Sequence, residues 1–213
     1  MTLVCFAVKE EAPAFRKIAG GKPEVSILVT GMGRANAERA VREFLAGQRV
    51  DLVLTCGFAG GLNPDLAPGA VLFATADEKL AGRLSAAGAK PAKIICGDRV
   101  AVTAAEKQQL RQATGADVVE MESEAIQAVC RERGVPCATV RVISDSAAED
   151  LPLDFNRLYR PDMSLDFGKL AWNLCKSPGK IKALMELQKR CQFAAGQLAG
   201  VLAKVLALEY KNR

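Results

Sequence analysis

Seven short apolar runs constrain this chain more than any other feature: Leu3–Val8, Val25–Thr30, Asp51–Cys56, Ala70–Ala76, Lys93–Cys96, Asp117–Val119 and Ala138–Ser144. Most are apolar on both faces instead of alternating, which is the pattern of strands covered on both sides of a sheet. Helix-period stretches lie between several of them. Arg34–Leu45 puts Ala37, Ala40, Val41, Phe44 and Leu45 on one face, Ala104–Gln112 reads as a polar helix, and Glu124–Arg133 buries Ala125, Ile126 and Val129. Strands alternating with helices imply right-handed crossovers and helical layers on both sheet faces. The expected fold is therefore α/β, three αβα layers around a mixed, mostly parallel twisted sheet. The C-terminal third changes character, with a loop carrying Pro152 and Pro161, a helix over Leu165–Cys175, a break at Ser177-Pro178-Gly179 and a long amphipathic helix. Ile181, Leu184, Met185, Leu187, Leu198, Val201 and Leu202 fall mostly at three- and four-residue spacing, so these helices (about 165–208) are expected to pack on the sheet. No linker, repeat or low-complexity tract divides the 213 residues, so one domain over 1–213 is expected.

The chain has no histidine. That excludes a Ser-His-Asp triad, a Cys-His pair, an HExxH zinc site and His-ligated haem. Acid–base chemistry near neutral pH then falls to carboxylates, thiols, Lys or Tyr. The formal charge is +5, read as spread along the chain with a mild C-terminal excess, and aromatics are only 5%. Diffuse charge without stacking residues speaks against nucleic acid and for solubility. Cys5, Cys56, Cys96, Cys130, Cys137, Cys175 and Cys191 are odd in number and have no CxxC spacing. They are expected to be reduced and buried, as in a cytoplasmic protein. The N-terminal apolar run is too short for a signal segment or a membrane span.

Two glycine clusters and three acidic groups sit at the carboxyl ends of expected strands. Thr30-Gly31-Met32-Gly33-Arg34 leads from a strand into a helix, where backbone N–H groups can meet an anion. Asn36 replaces the third glycine of a dinucleotide fingerprint, so a plain tight turn is the alternative. Cys56-Gly57-Phe58-Ala59-Gly60-Gly61-Leu62 is the second cluster, a binding loop or a loop that needs positive φ. Glu10 and Glu11, then Glu120-Met121-Glu122, then Asp145 with Arg141 four residues earlier, share that rim. Singly, each acid is an ordinary helix start. Together they describe a carboxylate-rich site with one Arg and no metal-ligand spacing.

The segments VTGMGRANAERAV (29–41), TCGFAGGLNPDLAPGAVL (55–72), VVEMESEAIQAVC (118–130) and ATVRVISDSAAED (138–150), in this order, resemble the nucleoside phosphorylase/nucleosidase superfamily. The resemblance is closest to its methylthioadenosine/S-adenosylhomocysteine nucleosidase branch, and AVKEEAPAF (7–15) is similar to that branch's N-terminal segment. It implies cleavage of a purine N-ribosidic bond through an oxocarbenium-like state. By this resemblance Asp145 protonates purine N7 with Ser144 orienting it, and Glu11 takes a proton from the attacking water. Glu122 holds the ribose hydroxyls, with Met121 against the sugar and Arg141 supporting the carboxylate. Glu120 lines the same wall, Val100, Ala59 and Gly60 border the base, and Met32 belongs to the binding rim. No cofactor or metal is implied, apart from phosphate as co-substrate if the chain is a phosphorylase. The partner implied is a small nucleoside, and superfamily members usually form homo-oligomers.

The chain departs from that branch at Phe58, where a small Ser is usual, and at Val100, where an aromatic is usual. Its stretch from Gly69 to Gly97 is short, and LPLDFNRLYRPD (151–162) with KSPGKIKALMELQKRC (176–191) resembles hopanoid-associated members instead. Those release adenine from a nucleoside with a large hydrophobic 5′ group. Water attack is the first expectation, since Lys9-Glu10-Glu11 stands where phosphorylases carry Gly-Asp-Pro and a carboxylate repels phosphate. A catalytically silent nucleoside-binding protein is the third reading.

Overall fold

The computed structural model describes residues 1–177 and 179–211, without the side chains of 173, 175, 176, 210 and 211. The Cys175 thiol and the break expected at Pro178 lie outside that description. In chain order the elements are β1 (Thr2–Phe6), a 3-10 turn (Lys9–Glu11), α1 (Pro13–Ala19), β2 (Val25–Val29), α2 (Arg34–Gly47) and β3 (Leu52–Gly61). Then come β4 (Val71–Ala74), α3 (Glu78–Ala86), β5 (Lys90–Pro91), β6 (Ile94–Cys96), α4 (Ala104–Thr114) and β7 (Val118–Glu120). The chain closes with α5 (Ser123–Glu132), β8 (Cys137–Asp145), a second 3-10 turn (Phe155–Arg157), α6 (Phe167–Lys176) and α7 (Gly179–Lys211).

The strands form one mixed sheet in the order β2-β1-β3-β8-β4-β5. Most neighbours are parallel, and β4 runs antiparallel to β8. Successive β1 residues explain why these runs are apolar throughout. Val4 and Phe6 pack with Phe15 of α1, Leu80 of α3 and Leu198 of α7, while Leu3 and Cys5 pack with Val41 of α2 and Val129 of α5. Each face is covered by helices, so neither can be polar.

Three sequence expectations change. The second glycine cluster is not a loop: β3 runs through it to Gly61, parallel to β8 and then antiparallel to β7, which in turn pairs with β6. Gly60 and Gly61 lie where β3, β7 and β8 crowd together, at a register shift opposite Asp145. α1 and α3 are additional helices, and the Asp77 carboxylate that caps α3 was its available signal. The C-terminal helices pack on the sheet only in part. From Ala194 onward the apolar face of α7 is in the core, whereas Ile181, Met185 and Phe193 are exposed and α6 makes no extensive contact with another element among the described residues. α7 is long and apolar enough to cross a membrane by length and composition, but its second half is committed to the sheet.

Gly61 tests the crowding. A Cβ there would stand 2.9 Å from the Asp145 carbonyl oxygen and 3.3 Å from the Ile143 side chain, so one strand must shift. Gly61→Ala is expected to cost about 1–3 kcal/mol, read as a lower thermal midpoint. Gly47→Ala, with nothing within 4 Å, is the neutral control.

Candidate active site

A cavity of about 810 Å³ opens at the carboxyl ends of β1, β3 and β8. Ligands of open parallel sheets bind at such ends. Eleven of the twelve site residues expected from the sequence line it: Glu11, Met32, Phe58, Ala59, Gly60, Val100, Glu120, Met121, Glu122, Ser144 and Asp145. Arg141 is the exception. It is buried one layer behind the wall, beneath the carboxylates.

Glu11 is fixed by backbone donors. Its Oε2 accepts from Ala7 N at 2.9 Å and Val8 N at 3.1 Å, and its Oε1 accepts from Phe58 N at 2.7 Å. Burial raises this carboxyl from 4.5 to about 7, with Arg141 and the backbone N–H groups opposing the rise. Gly57 makes the approach feasible: it has φ +151°, and a Cβ there would meet Glu11 Oε1 at 2.5 Å and Arg141 Nη1 at 2.6 Å.

The VEME segment divides its two acids between different tasks. Glu120 accepts from Glu122 N at 3.0 Å and Ser123 N at 2.9 Å, so it closes the start of α5, and it takes a very short contact from Arg141 Nη2. Burial disfavours its charge, but Arg141, Ser123 and the two backbone N–H groups outweigh that and hold it below the usual carboxylate range. Glu122 is pushed the other way, upward, chiefly by burial. Its Oε1 accepts from Gly33 N at 2.9 Å, and its Oε2 is 3.8 Å from Arg141 Nη2. One expectation is thereby sharpened and one corrected. The hydrogen-bonding partner of Arg141 is Glu120, which ends β7 where the guanidinium of β8 reaches it, and Glu122 is its second, looser ion pair. The backbone N–H of the first glycine turn, open to an exogenous anion in the sequence reading, is already taken by Glu122.

Asp145 faces the cavity from the end of β8. Ser144 Oγ donates to its Oδ1 at 2.6 Å, and Lys107 Nζ donates to its Oδ2 at 2.5 Å. Lys107 is wholly buried, and its ammonium also donates to the carbonyls of Ser146 at 2.8 Å and Glu149 at 2.9 Å. All three donors of the ammonium are used. Sequence reasoning missed Lys107, since it sits in the helix read as polar and nothing in its neighbours sets it apart from a solvated lysine. Only the packing of α4 beneath the end of β8 turns it inward.

The remaining wall comes from the segment after β8, including Leu151, Phe155, Tyr159 and Met163, and from Leu187 and Cys191 of α7. Asn156 ties this segment to the 97–103 loop by accepting from Val100 N and donating to Val100 O, both at 2.9 Å. The Val100 backbone is thus occupied, and its side chain is what it offers a ligand. Met163 adopts φ +63°, rare for a non-glycine residue, in a turn where Asp162 accepts from Ser164 N at 2.9 Å and Ser164 Oγ at 2.6 Å. The cysteines are all free among those described, with Cys5, Cys56 and Cys130 buried and Cys96, Cys137 and Cys191 only partly so. Burial raises the Cys191 thiol to about 11, which leaves it protonated at neutral pH.

A family model of the phosphorylase superfamily matches this chain over residues 6–92 and 78–165. The chain belongs to the phosphorylase superfamily. Among curated relatives it is similar to aminodeoxyfutalosine nucleosidase of Campylobacter jejuni, 26% identical over 167 residues, covering 62% of this chain and 72% of that one. Among solved structures it is similar in fold to futalosine hydrolase of Helicobacter pylori, TM-score 0.74 at 18% identity, with 97% of each chain covered. The 5′-methylthioadenosine/S-adenosylhomocysteine nucleosidase of Helicobacter pylori, solved with butyl-thio-DADMe-Immucillin-A, gives TM-score 0.75 at 19% identity and the same coverage.

Two measurements test this electrostatic arrangement. Because Glu11 holds its proton in the folded state up to about pH 7 and in the unfolded chain only to about 4.5, its contribution of about 3 kcal/mol is full below the lower value and lost as pH rises through the upper. The thermal midpoint is expected to lose this increment between pH 5 and 8, and Glu11→Gln to flatten the fall. Lys107→Met leaves Asp145 buried without its cation and is expected to cost about 3–5 kcal/mol, measured by denaturant unfolding.

Proposed function

We propose that this chain hydrolyses the N-ribosidic bond of a 5′-substituted adenosine, releasing adenine. The observation that carries the reading is the division of one cavity between two carboxyls of opposite suitability. Asp145 is held on both oxygens by a hydroxyl and an ammonium, while Glu11, at about 7, changes protonation near neutrality.

In this scheme Asp145, in its protonated form, delivers that proton to purine N7 as the glycosidic bond lengthens, and the electron pair of that bond leaves with the base. Lys107 pairs with the carboxylate left behind. Ser144 fixes its orientation. Glu122 Oε2 accepts from the ribose hydroxyls, with Met121 against the sugar. Glu11, above about pH 7, takes a proton from the water that attacks the anomeric carbon, and burial makes it a stronger base than an exposed glutamate. Arg141 acts from behind, holding Glu120 and offsetting the repulsion between Glu11 and Glu122. No step calls for a cofactor. Cytoplasmic location and a homo-oligomer accord with this reading and belong to it.

The 5′ substituent is proposed to be large and apolar. The cavity lies near the upper end of the ordinary range for small-molecule pockets, roughly 300–1,000 Å³, and its outer wall is Leu151, Phe155, Met163, Leu165 and Leu187. A hopanoid is one hydrocarbon of this kind, as the C-terminal resemblance suggests. Phosphorolysis is the second reading, favoured by the superfamily match alone. The donors around Glu11 speak against it, since Ala7 N, Val8 N and Phe58 N are spent on a carboxylate that would repel phosphate.

A nucleoside panel read for free adenine, with and without phosphate, is expected to give phosphate-independent turnover that improves as the 5′ group becomes longer and more apolar. A strict phosphate requirement would reverse the choice of nucleophile, and binding without turnover would favour the silent binding protein. kcat/KM is expected to rise with pH through about 7 as Glu11 ionises. Asp145→Asn is expected to abolish release and also to lower stability, because it strands the Lys107 ammonium. Combined with Lys107→Met it is expected to regain stability but no activity. Full activity in either variant would remove Asp145 from the mechanism.

A further inference from the structure

The net charge of this protein is not diffuse. Residues 167–193 hold six Lys or Arg and one acid, leaving 23 basic and 23 acidic residues in the rest of the chain. The whole excess of +5 therefore sits on α6 and the first half of α7, which corrects the sequence reading of charge as general solubility.

The same segment carries the most exposed large apolar side chains of the described residues. Phe167 is 72% exposed, Trp172 63% and Met185 55%, and Ile181 is exposed beside them in sequence. α6 is amphipathic: Phe167, Leu170, Ala171 and Leu174 fall on one arc at three- and four-residue spacing, while Lys169 and Trp172 fall on the other side. Lys180, Lys182 and Lys189 of α7 are exposed around Ile181 and Met185. A short helix with Phe and Leu on one side, and a Trp beside a lysine on the other, is a composition that lies in a bilayer interface, with the apolar side among acyl chains and the Trp and cations at headgroup level. Phe167 also lines the mouth of the cavity, so this surface borders the way in.

We propose that α6 and the first turns of α7 form a docking surface for a membrane containing anionic lipid, on which the protein rests without crossing. Charge complementarity selects that occupant. A symmetric pairing of two copies through this surface would set the exposed Lys180, Lys182 and Lys189 of one copy against those of the other, a juxtaposition that opposes association. An anionic bilayer takes both the cations and the apolar side chains. A substrate with a large apolar group partitions into that same bilayer, so docking brings the cavity mouth to where such a molecule resides. That last step rests on the proposed function, whereas docking itself does not.

Trp172 is the only tryptophan and sits on the proposed surface, so it reports on its own environment. The full chain is mixed with vesicles of phosphatidylcholine alone or of equal phosphatidylcholine and phosphatidylglycerol, without nucleoside, and followed by co-sedimentation and Trp172 emission. Binding to the mixed vesicles with a blue shift is expected at low salt, with release as salt screens the attraction and little binding to phosphatidylcholine alone. Lys180→Glu with Lys182→Glu, and separately Ile181→Ser with Met185→Ser, are expected to weaken binding at least tenfold. Both pairs alter exposed side chains, so the thermal midpoint and adenine release from a water-soluble nucleoside stay unchanged. Absence of binding to the mixed vesicles at low salt, or equal binding by the charge-reversed variant, would overturn the proposal. So would a blue shift that grows with protein concentration in the absence of lipid, which would assign the surface to a second copy. Loss of catalysis with vesicle binding retained would count against the proposed function and not against docking.

Discussion

The site depends on one buried cation. Arg141, in the middle of β8 and 1% exposed, stands among three buried carboxyls, Glu11, Glu120 and Glu122. Without it, three buried carboxyls would share a dry region with no positive charge, and each would be forced toward its neutral form. With it, the three are split into different states: Glu120 is held ionised, Glu122 is raised and Glu11 is carried to about 7. One guanidinium shared among three acids opposes the burial of Glu11 without cancelling it, and this leaves Glu11 close to its protonation midpoint at neutral pH. A chain with no histidine thereby obtains a group that titrates where imidazole would.

That arrangement makes demands on the backbone around it. Arg141 reaches its partners only because β3 lies directly beside β8 and carries glycine where the two side chains pass, at Gly57. Thr55, two residues earlier on β3, accepts from Arg141 Nη2 at 3.2 Å. The Arg141 Nε has no hydrogen-bond partner among the described residues, so the fork is spent on side chains to one side of it. The second ionic unit, Lys107 with Asp145, is separate: its ammonium is saturated by one carboxylate and two carbonyls. The first unit has more carboxyls than cations, and the second is closed on itself.

The outer part of the molecule follows different rules. Beyond β8 the chain no longer contributes strands to the sheet but builds a wall from a bridged turn, Tyr159 with Leu165, and from two helices. The apolar residues there divide between cavity, core and solvent. Leu187 faces the cavity, Leu198 and Leu202 join the core, and Trp172 and Met185 are exposed. Helical spacing alone does not distinguish these destinations, because an apolar stripe has the same period whatever covers it.

The order of strands and helices, the two-faced burial of the strands and the rim of carboxylates were legible in the linear chain. Each rests on local periodicity or on the chemistry of residues at strand ends. The absence of histidine likewise narrowed the reagents to carboxyls, thiols and amines before any fold was known. Tertiary structure alone decided which carboxyl Arg141 holds more closely, because Glu120 and Glu122 are two residues apart and only their distances to the guanidinium separate their tasks. It alone turned Lys107 from an apparent surface lysine into the partner of Asp145, and a loop of glycines into the last turns of a central strand. Proton affinities and ion pairs depend on the distance between residues far apart in the chain and on the water excluded between them, and neither quantity exists until the sheet is assembled.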